Sequence, residues 1–375
     1  MRILYGVVGE GMGHATRSRV TLEHLLSLGH EVHVVVSGRA HGFLLRAFEG
    51  RKGISFDEIH GLSLVFDGSS LDLSETVLKN LKAAPAGLLK NLDVYRNVAE
   101  AHFRPDAVIS DFESWAYFYG ISKGIPVISI DNMQIINRCE HEKFATEFGS
   151  FDFRLAKLAV KAKVPGAYHY LITTFFVPEV RKRKTSLIPP ILRPEILRAQ
   201  REPGSHVLVY QTAAAANPDL VPILQSLPYE FRVYGLGREG KEGNVQLCAF
   251  SETGFVDDLR TAKAVIANGG LSLMAEAVHL HVPMLSIPLD GQFEQSLNAR
   301  YLSWLGYGMY SAEIDPATAE TFLHHADEYA HQLETYVSRD NTMLYRAVEE
   351  LLDGVAIGAS PIERLNTEVL AKWEG

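Results

Sequence analysis

The chain is poor in cysteine: Cys139 and Cys248 are the only two in 375 residues. Two distant thiols exclude a disulfide framework and a Cys-x-x-Cys metal or redox motif, and they read as buried thiols of a reducing compartment. Long hydrophobic runs are missing as well, since no apolar stretch approaches the ~18–20 residues of a membrane-spanning helix. Positive charge is in deficit, with 36 Lys and Arg against 45 Asp and Glu and a formal net charge of −9. A chain-wide attraction to nucleic acid is therefore not expected. What remains is ordinary for a globular protein, 47% hydrophobic and 22% charged, which excludes a disordered or fibrous chain. Residues 2–8 read as a buried strand rather than a leader, because the apolar run stops at Gly9-Glu10-Gly11 without a cleavage site. A cytoplasmic location is the expectation.

The length predicts two domains. Short Val/Ile/Leu runs alternate with helix-like stretches, the pattern of parallel sheets covered by helices, so the fold class is α/β. The opening reads as strand (2–8), glycine turn (9–13), helix (15–27) and strand (31–36), a βαβ unit whose glycines sit where such sheets bind ligands. Two later segments share one spacing: Asp111 to Pro126 and Asn268 to Pro283 each span a strand end, a crossover helix and a strand entered through Pro. One doubly wound unit thus occurs twice. Pro189, Pro190, Pro194 and Pro203-Gly204 mark a linker. The expected organisation is residues 1–190, a linker at 191–204, a second unit at 205–355, and a tail at 356–375 that packs back on the first unit.

Gly9-Glu10-Gly11-Met12-Gly13-His14 almost matches the dinucleotide fingerprint, but His14 replaces its last glycine. The second strand ends at Val36-Ser37-Gly38-Arg39, without the acidic residue that bonds a ribose; a 2′-phosphate on Arg39 stays open. Gly11 and Gly13 allow close backbone approach, and His14 at a helix start is a candidate general base, the helix dipole favouring its neutral form. Asp111, at the end of a strand on the same sheet edge, is placed to orient that imidazole; a helix-capping role is the alternative. In the second half, Asn268-Gly269-Gly270-Leu271-Ser272 leads from a strand into a helix whose free amides suit a diphosphate. Glu276 follows one turn later as an acceptor for ribose hydroxyls, and Gln292, Glu294 and Gln295 bring paired acceptors and donors for a sugar.

Asn268-Gly269-Gly270, Glu276, Val282-Pro283, Ile287-Pro288, Glu294-Gln295 and Asn298-Ala299 together resemble the donor signature of nucleotide-sugar glycosyltransferases of the GT-B fold. The stretch from Gly11 to Ser18 resembles the Gly-Gly-His segment of peptidoglycan N-acetylglucosaminyltransferases and the histidine loop of UDP-glycosyltransferases. The nearest resemblance is to a group of prokaryotic glycosyltransferases. It implies two Rossmann-like domains facing each other across a cleft, and inverting transfer from a nucleotide-sugar, a UDP-sugar above all. His14 would be the base and Asp111 its partner. The donor would meet Gly11, Gly13, Asn268 to Ser272, Glu276, Gln292, Glu294 and Gln295. Thr212 stands near the usual phosphate turn, and Phe255, in the base-gripping segment 250–259, is a candidate for stacking. Asn268 departs from the histidine usual at its position. Without an Asp-x-Asp pair, no metal is implied, and no cofactor.

The acceptor, a small molecule or a lipid-linked one, falls to the first unit. Arg154, Lys157, Lys161 and Lys163 make 151–164 a cationic amphipathic helix, and Arg181 to Lys184 form a basic run. Either can meet an anionic acceptor or the inner face of the plasma membrane, or be a solvated surface. The stretch 64–92, with Leu78, Leu81, Leu88, Leu89 and Leu92, is helix-like. Two other functions stay open: a nucleotide-sugar 2-epimerase of the same architecture, and a non-catalytic nucleotide-sugar-binding protein.

Overall fold

The computed structural model describes residues 1–9, 11–61, 66–67, 70–71, 73–100, 103–146, 150–211, 219–249, 251–361, 363 and 365. The first half contains β1 (Arg2–Val7), α1 (Met12–Ser27), β2 (Glu31–Val36), α2 (Gly38–Ala47), β3 (Ile54–Glu58) and α3 (Leu73–Glu100). It continues with β4 (Ala107–Asp111), α4 (Ser114–Lys123), β5 (Val127–Asp131), α5 (Ser150–Lys163), β6 (His169–Thr173) and β7 (Thr185–Ile188). These strands form one sheet in the order β7-β6-β5-β4-β1-β2-β3, every pair parallel. β4 and β5 are buried at every residue, which is why they read as short Val/Ile runs interrupted only by Ser and closed by Asp111 and Asp131. The strand order reverses between β1 and β4, where Val7 pairs with Asp111. That register sets the start of α1 beside the end of β4, at the crevice where open α/β sheets hold ligands.

The second half repeats the plan. It comprises β8 (Val207–Tyr210), β9 (Phe231–Tyr234), β10 (Gly240–Glu242), β11 (Val245–Cys248), α6 (Glu252–Thr261), β12 (Ala264–Ala267), α7 (Leu271–His279), β13 (Met284–Ser286), α8 (Phe293–Trp304) and β14 (Gly308–Tyr310). The order is β10-β11-β9-β8-β12-β13-β14, parallel except for the edge pair β10–β11. The repeated spacing has a structural counterpart, because β4-α4-β5 and β12-α7-β13 occupy the same places in the two sheets. Both are Rossmann-like. Pro189 and Pro190 follow β7, and a short helix at Pro194–Arg198 leads toward β8.

One apolar cluster joins the halves, uniting Phe112, Ile136, Phe176 and Ile196 with Leu259, Met274 and Tyr301. The chain then returns. Helix α9 (Thr342–Ala356) sets Leu344, Val348, Leu351 and Leu352 into the core of the first sheet. Each such side chain contributes about 1.5–3 kcal/mol when fully buried, before the entropy of ordering it. The return to the first domain therefore begins before residue 356, upstream of the 356–375 tail expected from sequence. On α3, Leu88, Leu89 and Leu92 stand exposed at 69%, 65% and 44%, while the side chains of Leu78 and Leu81 lie outside the described residues. Among the described residues no helix is long and apolar enough to cross a membrane.

Candidate active site

Helix α1 begins at Gly11, whose φ of 85° is one that a side chain would strain, and no side chain caps it. Its first amides are thus free at the switch point. His14, in the first turn, sets Nδ1 2.7 Å from Asp111 Oδ1. A carboxylate there favours the Nδ1–H tautomer with Nε2 as the basic nitrogen, while Arg17 Nη2, 2.5 Å from the same Nδ1, competes for that position. Asp111 is 1% exposed and receives three further hydrogen bonds. Arg17 Nε donates to Oδ2 at 2.9 Å, Ser18 Oγ donates to the same oxygen at 2.8 Å, and Arg17 Nη2 donates to Oδ1. Burial pushes the Asp111 carboxyl up, but Arg17 and His14 together outweigh it and hold it at about 2. Burial and the adjacent Arg17 guanidinium push the His14 imidazole below its ordinary value, against the pull of Asp111. The balance favours a neutral imidazole beside an ionised carboxylate.

The opposite wall comes from the second sheet. Helix α7 starts at Gly270, again without a side-chain cap. A Cβ on Gly270 would meet nothing within 4 Å, whereas one on Gly13 would lie 2.6 Å from Ser272 Oγ. The two uncapped helix starts therefore face each other closely. Between them lies a cleft of about 250 Å³, lined from both halves. Asn268 anchors its floor by donating Nδ2 to the Ile287 carbonyl at 3.0 Å. At one end, Glu294 Oε1 accepts from Asn298 Nδ2 at 2.6 Å, and burial pushes its carboxyl up to about 7.

Of the residues expected from sequence, the cleft brings together Gly11, Gly13, His14, Phe255, Asn268, Gly270, Leu271, Ser272, Glu276, Glu294 and Gln295. Asp111 stands behind His14. Gln292 does not line the cleft, and neither does Gly269, whose missing side chain serves packing: a Cβ there would lie 2.4 Å from the Gln295 carbonyl oxygen. Thr212, with residues 213–218, and Phe250 lie outside the described residues. Phe255 is 7% exposed, its ring packed against the edges of Tyr210 and Tyr234. Both Glu276 oxygens accept from Arg193. Arg39, the candidate for a 2′-phosphate, is not part of the lining.

Sequence reasoning missed Arg17, Asn132 and Arg193, which also line the cleft. Arg17 lies three residues after His14, on the same helical face, and that spacing was a usable signal. Asn132 donates Nδ2 to the Thr173 carbonyl, and its buried Oδ1 has no partner among the described residues. Arg193 sits among linker prolines with nothing local to mark it.

Two Rossmann-like domains with a cleft between their switch points define a GT-B protein. Residues 1–326 match the family described as Glycosyl transferase family 1, and the chain belongs to that family. A protein of Methanosarcina acetivorans described as an "uncharacterized glycosyltransferase" is 26% identical over 336 residues, covering 82% of this chain and 85% of the relative. One of Methanosarcina mazei, with the same description, is 26% identical over 337 residues, with the same shares covered. Among solved structures, a UDP-glucosyltransferase from Polygonum tinctorium aligns with a TM-score of 0.66 at 15% identity, covering 95% of this chain and 98% of that one. The calicheamicin glycosyltransferase CalG4 aligns with a TM-score of 0.64 at 14% identity, covering 95% and 99%. The chain is a glycosyltransferase of GT-B fold.

Proposed function

We propose that this glycosyltransferase inverts the anomeric centre as it moves a sugar from a UDP-sugar to an acceptor hydroxyl, with His14 as general base. The observation that carries the reading is the 2.7 Å contact between His14 Nδ1 and Asp111 Oδ1, at the mouth of a cleft walled by a second uncapped helix start. The acceptor hydroxyl attacks the anomeric carbon and gives its proton to His14 Nε2. The bond from that carbon to the β-phosphate oxygen breaks, and its electron pair leaves with the diphosphate. Asp111 stabilises the imidazolium that forms. The free amides at Gly270, Leu271 and Ser272 stabilise the charge growing on the leaving group. Glu294 and Gln295 bond the sugar hydroxyls, and the Asn132 Oδ1 offers an acceptor opposite them. The donor's nucleoside is read as uridine on the likeness of the donor motif and of a solved structure named as a UDP-glucosyltransferase.

The test is a thermal-shift series with UDP, GDP, dTDP and CDP, with and without EDTA, followed by the anomeric configuration of the transferred sugar by proton NMR. A shift with UDP that EDTA leaves in place, and a product of inverted configuration, are expected. A shift confined to another nucleotide, or retention, overturns the respective part.

A further inference from the structure

A second cavity, of about 410 Å³, opens in the first domain and shares no lining residue with the cleft. Its volume is within the ~300–1,000 Å³ of small-molecule sites. Arg154 and Lys157 reach it from α5, and Arg181 and Lys182 from the segment between β6 and β7, so the two basic features of the sequence converge on one space. The single carboxylate in the lining, Glu140, is already paired with Arg181. Lys182 Nζ is fixed by donating to Asn137 Oδ1 at 2.5 Å. Among the described residues, Arg154, Lys157 and Lys182 form no ion pair with a carboxylate. Burial lowers the Lys182 ammonium, and Arg138, Lys157 and Lys161 lower it further, a measure of how closely the cations crowd.

Like charges gathered in a concave site repel one another, in a chain whose net charge is −9. Guanidinium and ammonium groups converging on one space suit the several oxygens of a phosphate, bidentate for Arg and point-like for Lys. We propose that this cavity is a binding site for the phosphate or diphosphate group of a ligand, distinct from the donor site. Asn132 and Met133 line the cleft, and Asn137 and Cys139 line the cavity, all on the segment that follows β5. On the transferase reading, and resting on it, the ligand is the charged end of the acceptor.

The probe is inorganic pyrophosphate, titrated calorimetrically into the full chain in EDTA. Pyrophosphate can also enter the cleft, so the same titration is run on Gly270→Val, which closes the approach to α7. Saturable binding is expected to persist in that variant. In Arg154→Gln/Lys157→Gln it should weaken roughly tenfold or more, the scale of a lost charge-assisted hydrogen bond. Arg154→Lys/Lys157→Arg should retain most of it, and melting curves check that each variant is folded. No saturable binding to Gly270→Val, or binding that the Gln pair leaves unchanged, overturns the proposal. Sedimentation with phosphatidylcholine vesicles containing phosphatidic acid, displaced by pyrophosphate and lost in the Gln pair, identifies a lipid headgroup. Pyrophosphate binding without sedimentation identifies a soluble phosphate ester. None of these readouts involves turnover, so failure here and failure of the transferase reading are separable.

Discussion

Arg193 and Glu276 meet through two parallel hydrogen bonds of 2.8 Å each, Nε to Oε1 and Nη2 to Oε2. The pair ties the linker to the helix that forms one wall of the cleft, and both side chains are buried, at 9% and 7% exposure. The charges extend further. Arg193 Nη1 lies 3.4 Å from Glu252 Oε1, which lies 3.4 Å from Arg19 on the first domain's α1. One ionic chain thus ties together the first domain, the linker and the second domain.

Removing only one partner of such a pair is the costly change. Arg193→Ala is expected to lose roughly 3–5 kcal/mol of stability, as for a buried charge left alone, while Arg193→Leu/Glu276→Leu recovers most of it. Burial already pushes the Glu276 carboxyl up against the pull of Arg193. Without that pull its folded pKa rises further above the unfolded one. The deficit of Arg193→Ala is then largest at alkaline pH and shrinks as acid protonates the carboxyl. Urea unfolding at pH 5 and pH 8 checks this; a deficit equal at both would show that Glu276 is not the charge left behind.

The two doubly wound sheets and the two glycine turns were legible because parallel strands buried on both faces leave unmistakable apolar runs, each ending where a ligand binds. His14 with Asp111, and Asn268 with Gly270, follow from such strand ends. Arg193 was not legible, since its partner is far along the chain and only the path of the linker brings them together. The amphipathic pattern of α9 was present, but periodicity says which face of a helix is apolar, not which core it meets. Gly269 and Gly270 look alike in sequence; only the Gln295 carbonyl distinguishes them.

Arg17 touches both members of the His14–Asp111 pair, and burial first and then its cation hold the imidazole below its ordinary value. On the proposed mechanism the neutral form of His14 acts as the base, so the acid limb of kcat/KM against pH is expected below the ordinary histidine value. Arg17→Gln removes the cation while Asp111 remains, so the limb should move to higher pH; Arg17→Lys should move it less. His14→Ala should lower kcat by about 10²–10⁴-fold, the usual worth of a general base, with donor affinity within a few fold. Turnover that His14→Ala leaves unaltered would remove the residue from the chemistry.

Adjacent glycines should fail differently. Gly270→Val places a Cβ where nothing lies within 4 Å, so the fold should tolerate it while UDP binding weakens. Gly269→Ala drives a methyl against the backbone of α8, so its melting temperature should fall by several degrees. Melting curves with and without UDP separate the two effects, and the reverse pattern would reassign the glycine that faces the diphosphate.

Glu294 sits in the cleft with its carboxyl pushed up to about 7, so its charge changes within the working range of pH. On the proposed reading it would accept from sugar hydroxyls as a carboxylate, and protonation would remove part of that accepting capacity. UDP-sugar affinity should therefore rise from pH 6 to pH 8, while that of UDP alone, which has no sugar for Glu294 to meet, should rise less. The stability effect runs the other way. A carboxyl whose pKa is raised on folding stabilises the fold below its unfolded value, and that contribution is lost as pH rises through about 7. Glu294→Gln removes the titration and should flatten both profiles, fixing sugar-donor affinity near the weaker, acidic value. Calorimetric titration of UDP-sugar and UDP at the two pH values, with melting curves for wild type and variant, tests the paired signs. A wild-type affinity for UDP-sugar that does not change with pH would take Glu294 out of the sugar contacts.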